Sequence, residues 1–219
     1  MGKNVMATTI IGGADGPTSV FIAGKGEKGG KRKLSHRIRN CMYGQKRKRV
    51  AKKIVANPHE LHEVVEYIQN KYNAVEVCDE SHSYLEERNS LKASLVLKHK
   101  PELLGDMREI ERPKEYNEKT RVAFMQQVEL QMKRAQEIPD EVFPIDFHIY
   151  EIRFSDTVRI RISMENVWDI LSISYSGEKK MMRKMSQISK DIYLYRGVTK
   201  EDIRNKSERY SGLLTTLST

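Results

Sequence analysis

Two cysteines in 219 residues, Cys41 and Cys78, are too few for a disulfide framework, and that scarcity fits a reducing compartment. The first thirty residues lack a basic stretch ahead of a clean apolar core, so no secretory signal is expected. At 38% hydrophobic and 32% charged, the chain is too polar for an integral membrane protein and too apolar for a disordered one. Its length allows one large domain or two small ones, each able to bury a core. Signals of chemistry are missing as well. There is no Gly-x-Ser-x-Gly elbow, the glycine-rich run near the N-terminus lacks a P-loop lysine, and nothing pairs two carboxylates. Catalysis, a cofactor and a small-molecule substrate are therefore not expected.

One more absence is local. Residues 28–53 contain no Asp or Glu, yet hold twelve cations: Lys28, Lys31, Arg32, Lys33, Arg37, Arg39, Lys46, Arg47, Lys48, Arg49, Lys52 and Lys53. Removing those twelve from 39 Lys+Arg leaves 27 against 30 Asp+Glu, so the remainder of the chain is slightly acidic. The whole excess of +9 sits in one segment, which makes it a local field that attracts phosphate or anionic lipid. Tyr43 stands alone among these cations, so base stacking is not expected. Contacts would run mainly to phosphate, with little sequence specificity.

Gly24, Gly26, Gly29 and Gly30 mark residues 25–33 as a flexible arm. Beyond it, Leu34, Ile38, Cys41 and Met42 make an apolar stripe at helical spacing. After Gly44, a second helical piece carries Val50, Ile54 and Val55. Most of the cations then face solvent. Cys41 could be activated by its cationic neighbours, but its place on the stripe predicts core packing.

Periodicity divides the chain into four parts: 1–24, 25–56, 57–138 and 139–219. Residues 5–11 and 18–23 are β-rich runs around the turn cluster 12–17, which predicts a β-hairpin. The middle is helical. Asn57, Pro58 and Glu60 look like a capped start for a helix through Leu61, Val64, Val65, Ile68 and Tyr72. Val75 and Val77 suggest a short strand, and residues 81–99 fit either helix or strand. A further helix carries Phe124, Val128, Met132, Ala135 and Ile138 on one face. In the last part the period becomes two. A bulged run carries Phe147, Ile149, Ile152 and Phe154, then runs through Val158, Ile160, Ile162 and Met164, and through Leu171, Ile173 and Tyr175, predict a three-stranded antiparallel meander. Trp168 is expected to open the third strand and pack in the core. Met181, Met185, Ile188 and Ile192 mark a helix, and Thr199 with Asp202 caps a last one through Ile203, Tyr210, Leu213 and Leu217. The fold class is α+β, with helices on one face of the sheet.

The run TTIIGGADGPTSVF at 8–21 resembles the signature of the β subunit of sodium-translocating decarboxylases, the membrane subunits of the oxaloacetate, methylmalonyl-CoA and glutaconyl-CoA pumps. The resemblance implies a broken membrane helix around Gly12, Gly13, Gly16 and Pro17. It also implies a sodium and proton role for Asp15, with Thr18 and Ser19 as neighbouring oxygens, and Na⁺ as the ion concerned. Nothing else in the chain shares it. The residues themselves argue for a soluble hairpin. An Asp at the centre of a span costs about 2.5–3.5 kcal/mol. No second segment reaches the roughly 17–25 apolar residues a span needs, and a lone broken helix has no protein around it at membrane depth.

Three weaker candidates remain. His59, His62, Cys78 and His82 have a His-x₂-His…Cys-x₃-His spacing that could ligate zinc, but an exposed first turn beside Glu60 and Glu63 explains the first two more simply. Met181, Met182 and Met185 could form an adaptable partner surface, though helical spacing points to the core. Lys179, Lys180, Arg183 and Lys184 form a second cationic group, weakened by acids nearby. The expectation is a non-catalytic, cytoplasmic binding protein that docks nucleic acid or another polyanion. The alternatives are a sodium-dependent decarboxylase component acting through Asp15, and a protein that binds or inhibits an acidic protein partner.

Overall fold

The computed structural model describes residues 6–10, 32–107, 110 and 117–219, with side chains from Asn40 onward. Among the described residues, seven α-helices and five strands fall into two compact units, the second inserted in sequence within the first. Unit 1 comprises Met1–Glu76, Ile149–Met164 and Asp169–Thr219, and unit 2 comprises Val77–His148 and Glu165–Trp168.

The expected meander is present as β3 (Phe147–Ser155), β4 (Val158–Glu165) and β5 (Ile170–Gly177). β1 (Met6–Ile10) joins it on β5 and β2 (Val75–Glu76) on β3, giving the order β1-β5-β4-β3-β2. Both added pairings are antiparallel. The alternate residues Val158, Ile160, Ile162 and Met164 of β4 and Leu171 and Ile173 of β5 are buried in one cluster. That cluster continues into α2 (Leu61–Tyr72), α5 (Lys179–Arg196) and α7 (Glu208–Ser218), so unit 1 is a helical layer on an antiparallel sheet. β3 is one strand whose centre, Ile149 to Ile152, is buried residue after residue. This is why its apolar positions do not keep a period of two.

Local chemistry moved several boundaries. Residues 32–51 form one helix, α1 (Arg32–Ala51), which runs through Gly44 without a break. Arg32 and Lys33, expected in a flexible arm, are its first residues, while Lys31 and the rest of the arm lie outside the described residues. The expected stripe through Cys41 and Met42 is not the packing face, since both are exposed. Instead Val50, Ala51 and the following Ile54 pack on the core, and α1 rests on α7. The next helix starts at Leu61, not Pro58, because Glu60 and Glu63 form the capping box while the Asn57 N–H is bound to the Val198 carbonyl at 3.1 Å. Thr199 caps α6 (Lys200–Asn205) as expected, but Lys206 turns left-handed (φ 52°) and Ser207 caps α7 afresh. One expected helix is therefore two.

Unit 2 pairs α3 (His82–His99) with α4 (Glu118–Gln136), joined by a 3-10 segment, Pro101–Met107. Ser81 caps α3, which resolves the helix-or-strand ambiguity of 81–99. Lys92, buried inside it, donates to the Asp140 carboxylate at 2.6 Å and to the Ile138 carbonyl. Arg88 pairs with the same carboxylate. Ile138 follows α4 and is not part of it. Trp168 lies in the β4–β5 turn, not at the start of β5, and stacks with His99 (4.3 Å) and Phe143 (5.2 Å). The buried Glu165 holds that turn by accepting from the backbone N–H groups of Asp146, Val167 and Trp168.

The hairpin's second run, and with it Gly12, Gly13, Asp15, Gly16, Pro17 and Thr18, lies outside the described residues. Residues 8–10 of the motif are in β1, opposite Tyr175, Ser174 and Ile173. Among the described residues, no helix is long and apolar enough to cross a membrane.

Candidate polyanion-binding surface

α1 has no acidic residue in its first turn, and Lys48 and Arg49 lie in its last, where the helix dipole favours cations. The chain continues helically for a step, with the Lys53 N–H bound to the Val50 carbonyl at 2.8 Å. Arg32, Lys33, Arg37 and Arg39 belong to α1, but their side chains are not among those described. Of the rest, Lys46, Lys48, Arg49, Lys52 and Lys53 are exposed, while Arg47 is half-buried on the side that carries Val50 and Ala51. Five side chains therefore point to solvent, and one doubles as a packing residue.

Elsewhere in the molecule, cations are commonly neutralised. Lys71, Arg88, Lys92, Arg153, Arg161, Arg196 and Arg209 each lie within 4.0 Å of a carboxylate. Among the described residues, none of Lys46, Arg47, Lys48, Arg49, Lys52 and Lys53 is in an ion pair. The field of this segment is not quenched from within the described fold.

The structure adds a cation that the sequence reading did not single out. Burial and the neighbouring Lys46 ammonium hold the Lys190 pKa of α5 below the usual lysine range. The Lys46 charge of α1 thus acts on Lys190 of α5 as a like charge. The only acid within α5, Asp191, is turned to α2 instead. Its Oδ2 accepts from Tyr67 (2.5 Å), Tyr72 (2.7 Å) and Lys71 (2.9 Å). Burial pushes its pKa up, but those three donors outweigh burial and hold it below the usual carboxylate value. Burial and the Asp191 charge raise the Tyr72 phenol to about 12. Sequence spacing held a clue to the turned acid, because Tyr67 and Lys71 stand four residues apart on one face of α2 and Tyr72 follows directly.

The zinc candidates do not converge. His59 stacks on Tyr195 at 4.2 Å and its Nδ1 contacts the Tyr195 carbonyl at 2.6 Å, His62 is exposed, and His82 pairs with Glu86 at 3.4 Å. Cys78 lies exposed beside Asp79. Among the described residues, no three His, Cys, Asp or Glu side chains are grouped to hold a metal. Met185 is buried and Met181 and Met182 are half-buried against the core, so the methionines serve packing. The chain matches no protein family, no curated protein and no solved structure with which it was compared.

Proposed function

We propose that the protein docks nucleic acid or another polyanion in the cytoplasm through the cations of residues 28–53, and that it does so without catalysis. The observation that supports this reading is the run of five exposed cations from Lys46 to Lys53 with no carboxylate partner among the described residues. Leaving them bare brings no stability to the fold, whereas an added phosphate backbone would neutralise them and release its counterions.

If about five phosphates are neutralised, log K falls with log[salt] at a slope of about −4.5, and affinity drops roughly 500-fold between 50 and 200 mM salt. Anisotropy of labelled duplex DNA and RNA across that range measures the slope. Charge reversal belongs at Lys48 and Arg49, because reversing the half-buried Arg47 would also disturb packing. Lys48→Glu/Arg49→Glu is expected to remove most binding while leaving the helical circular dichroism unchanged. Salt-independent binding would refute the proposal. Capture of an acidic protein that survives nuclease treatment would favour the protein-partner reading, and a Na⁺-dependent signal lost in Asp15→Asn would favour the decarboxylase one.

A further inference from the structure

The sheet of unit 1 has a second face, turned away from the core. In β4 the core takes Val158, Ile160, Ile162 and Met164, so the intervening Arg159, Arg161 and Ser163 belong to the opposite face. In β3 it takes Tyr150, Ile152 and Phe154, which leaves Glu151 and Arg153 on that opposite face too. The neighbouring β5 adds Ser172, Ser174 and Ser176 there, which supply hydroxyls without bulk. Glu151 is 3% exposed, and three guanidiniums converge on its carboxylate. Arg153 Nε lies at 2.8 Å, Arg161 Nε at 3.5 Å and Arg159 Nη1 at 3.7 Å.

One arginine is enough to neutralise one buried carboxylate, and Arg161, itself largely covered, is placed to do so. Arg153 and Arg159 are surplus to that need. Their side chains are 70% and 48% exposed, and among the described residues Glu151 is the one carboxylate within 4.0 Å of either. Three cations against one acid leave the cluster at +2, and like charges gathered on adjacent strands repel one another. The fold alone gains nothing from that surplus.

We propose that Arg153 and Arg159 form a clamp for a phosphate dianion, free or as a phosphomonoester, with Glu151 positioning the two guanidiniums and Arg161 holding Glu151. Charge selects the ligand, because a phosphomonoester carries about −1.5 to −2 at pH 7 and matches the +2 of the cluster. A phosphodiester, as in a nucleic-acid backbone, carries a single charge. Geometry selects it as well, since the planar fork of arginine gives paired N–H groups to phosphate oxygens. The clamp shares no residue with the cationic segment 28–53, so it stands or falls independently of the polyanion reading.

The test is isothermal titration calorimetry on the full chain at fixed ionic strength, with inorganic phosphate, phenyl phosphate and dimethyl phosphate as probes. Wild type should bind one dianion saturably, and the diester should bind roughly tenfold more weakly. Inorganic phosphate and the phenyl ester share the chemistry, and the tighter of the two identifies the source. Arg153→Gln/Arg159→Gln should lose roughly tenfold in affinity for each arginine removed. Arg161 remains to neutralise Glu151 in that variant, so the circular dichroism should be unchanged, and Arg159→Gln alone is the milder second variant. Arg204→Gln, on the exposed side of α6, and Lys48→Glu/Arg49→Glu in α1 should both bind phosphate like wild type. Wild-type affinity in the folded double variant, equal affinity for the diester, or no saturable binding at all would overturn the clamp. Loss of phosphate binding in the α1 variant would move the site to the cationic segment and overturn it too.

Discussion

Gly197 ends α5 at φ 58°, ψ −160°, and Gly105 occupies a similar backbone region at φ 57°, ψ −124°. Alanine at either position carries backbone strain on the order of 1–3 kcal/mol. The surroundings differ. A Cβ at 105 would meet nothing within 4 Å, whereas one at 197 would sit 1.8 Å from the Asn57 carbonyl oxygen and 2.7 Å from its carbon. Both of those atoms are backbone, so no side chain can swing away. Residues 57–59 must move, and that breaks the Asn57–Val198 and His59–Arg196 backbone bonds together with the Arg209 Nη2 bond to the His59 carbonyl at 2.9 Å. At roughly 0.5–1.5 kcal/mol each, these three losses add about 1.5–4.5 kcal/mol. Gly197→Ala should therefore cost about 2.5–7.5 kcal/mol and Gly105→Ala about 1–3. Urea unfolding followed by far-UV circular dichroism is the readout, because the single tryptophan, Trp168, lies in unit 2 and Gly197 in unit 1. If Gly197→Ala cost no more than Gly105→Ala at equal m-value, the close approach of the Asn57 segment would be refuted.

Two further stability effects follow from the same structure. Gly44 is inside α1 and a Cβ there meets nothing within 4 Å, so Gly44→Ala should stabilise the helix by about 1 kcal/mol and raise the melting temperature; a loss of stability would mean that α1 is not continuous there. The folded-state pKa of Asp191 is depressed, so its contribution is present above the unfolded value near about 3.9 and fades as pH falls through the folded value. The stability gap between wild type and Asp191→Asn should thus be widest above about pH 5 and close toward pH 2 in urea titrations. A gap that widened with acid would remove the Tyr67–Lys71–Tyr72 hub as its cause.

Much of the architecture was legible because it depends on local pattern. The strict alternation of Val158, Ile160, Ile162 and Met164 and of Leu171, Ile173 and Tyr175 predicted β4 and β5. The Thr199–Asp202 capping box is a local hydrogen-bond motif, and it was found where expected. The misplacements arise where distant residues intervene. Pro58 looked like a helix start until Val198 claimed the Asn57 N–H. Trp168 looked like a core residue of β5, but the buried Glu165 carboxylate draws its N–H into the turn. α1 looked broken at Gly44 because glycine weakens a helix locally, yet the chain beyond it is anchored by Val50, Ala51 and Ile54 on the core.

The candidate surface divides along the same line. The acid-free run of cations is a property of composition, and no fold could remove its charge. Whether that charge is quenched depends on which side chains tertiary packing brings within a few ångströms. Linear spacing does not carry that information, because Coulombic neutralisation falls off with distance in space and not along the chain. Tertiary structure lets the Lys46 charge act on Lys190, while the tyrosines of α2 hold Asp191.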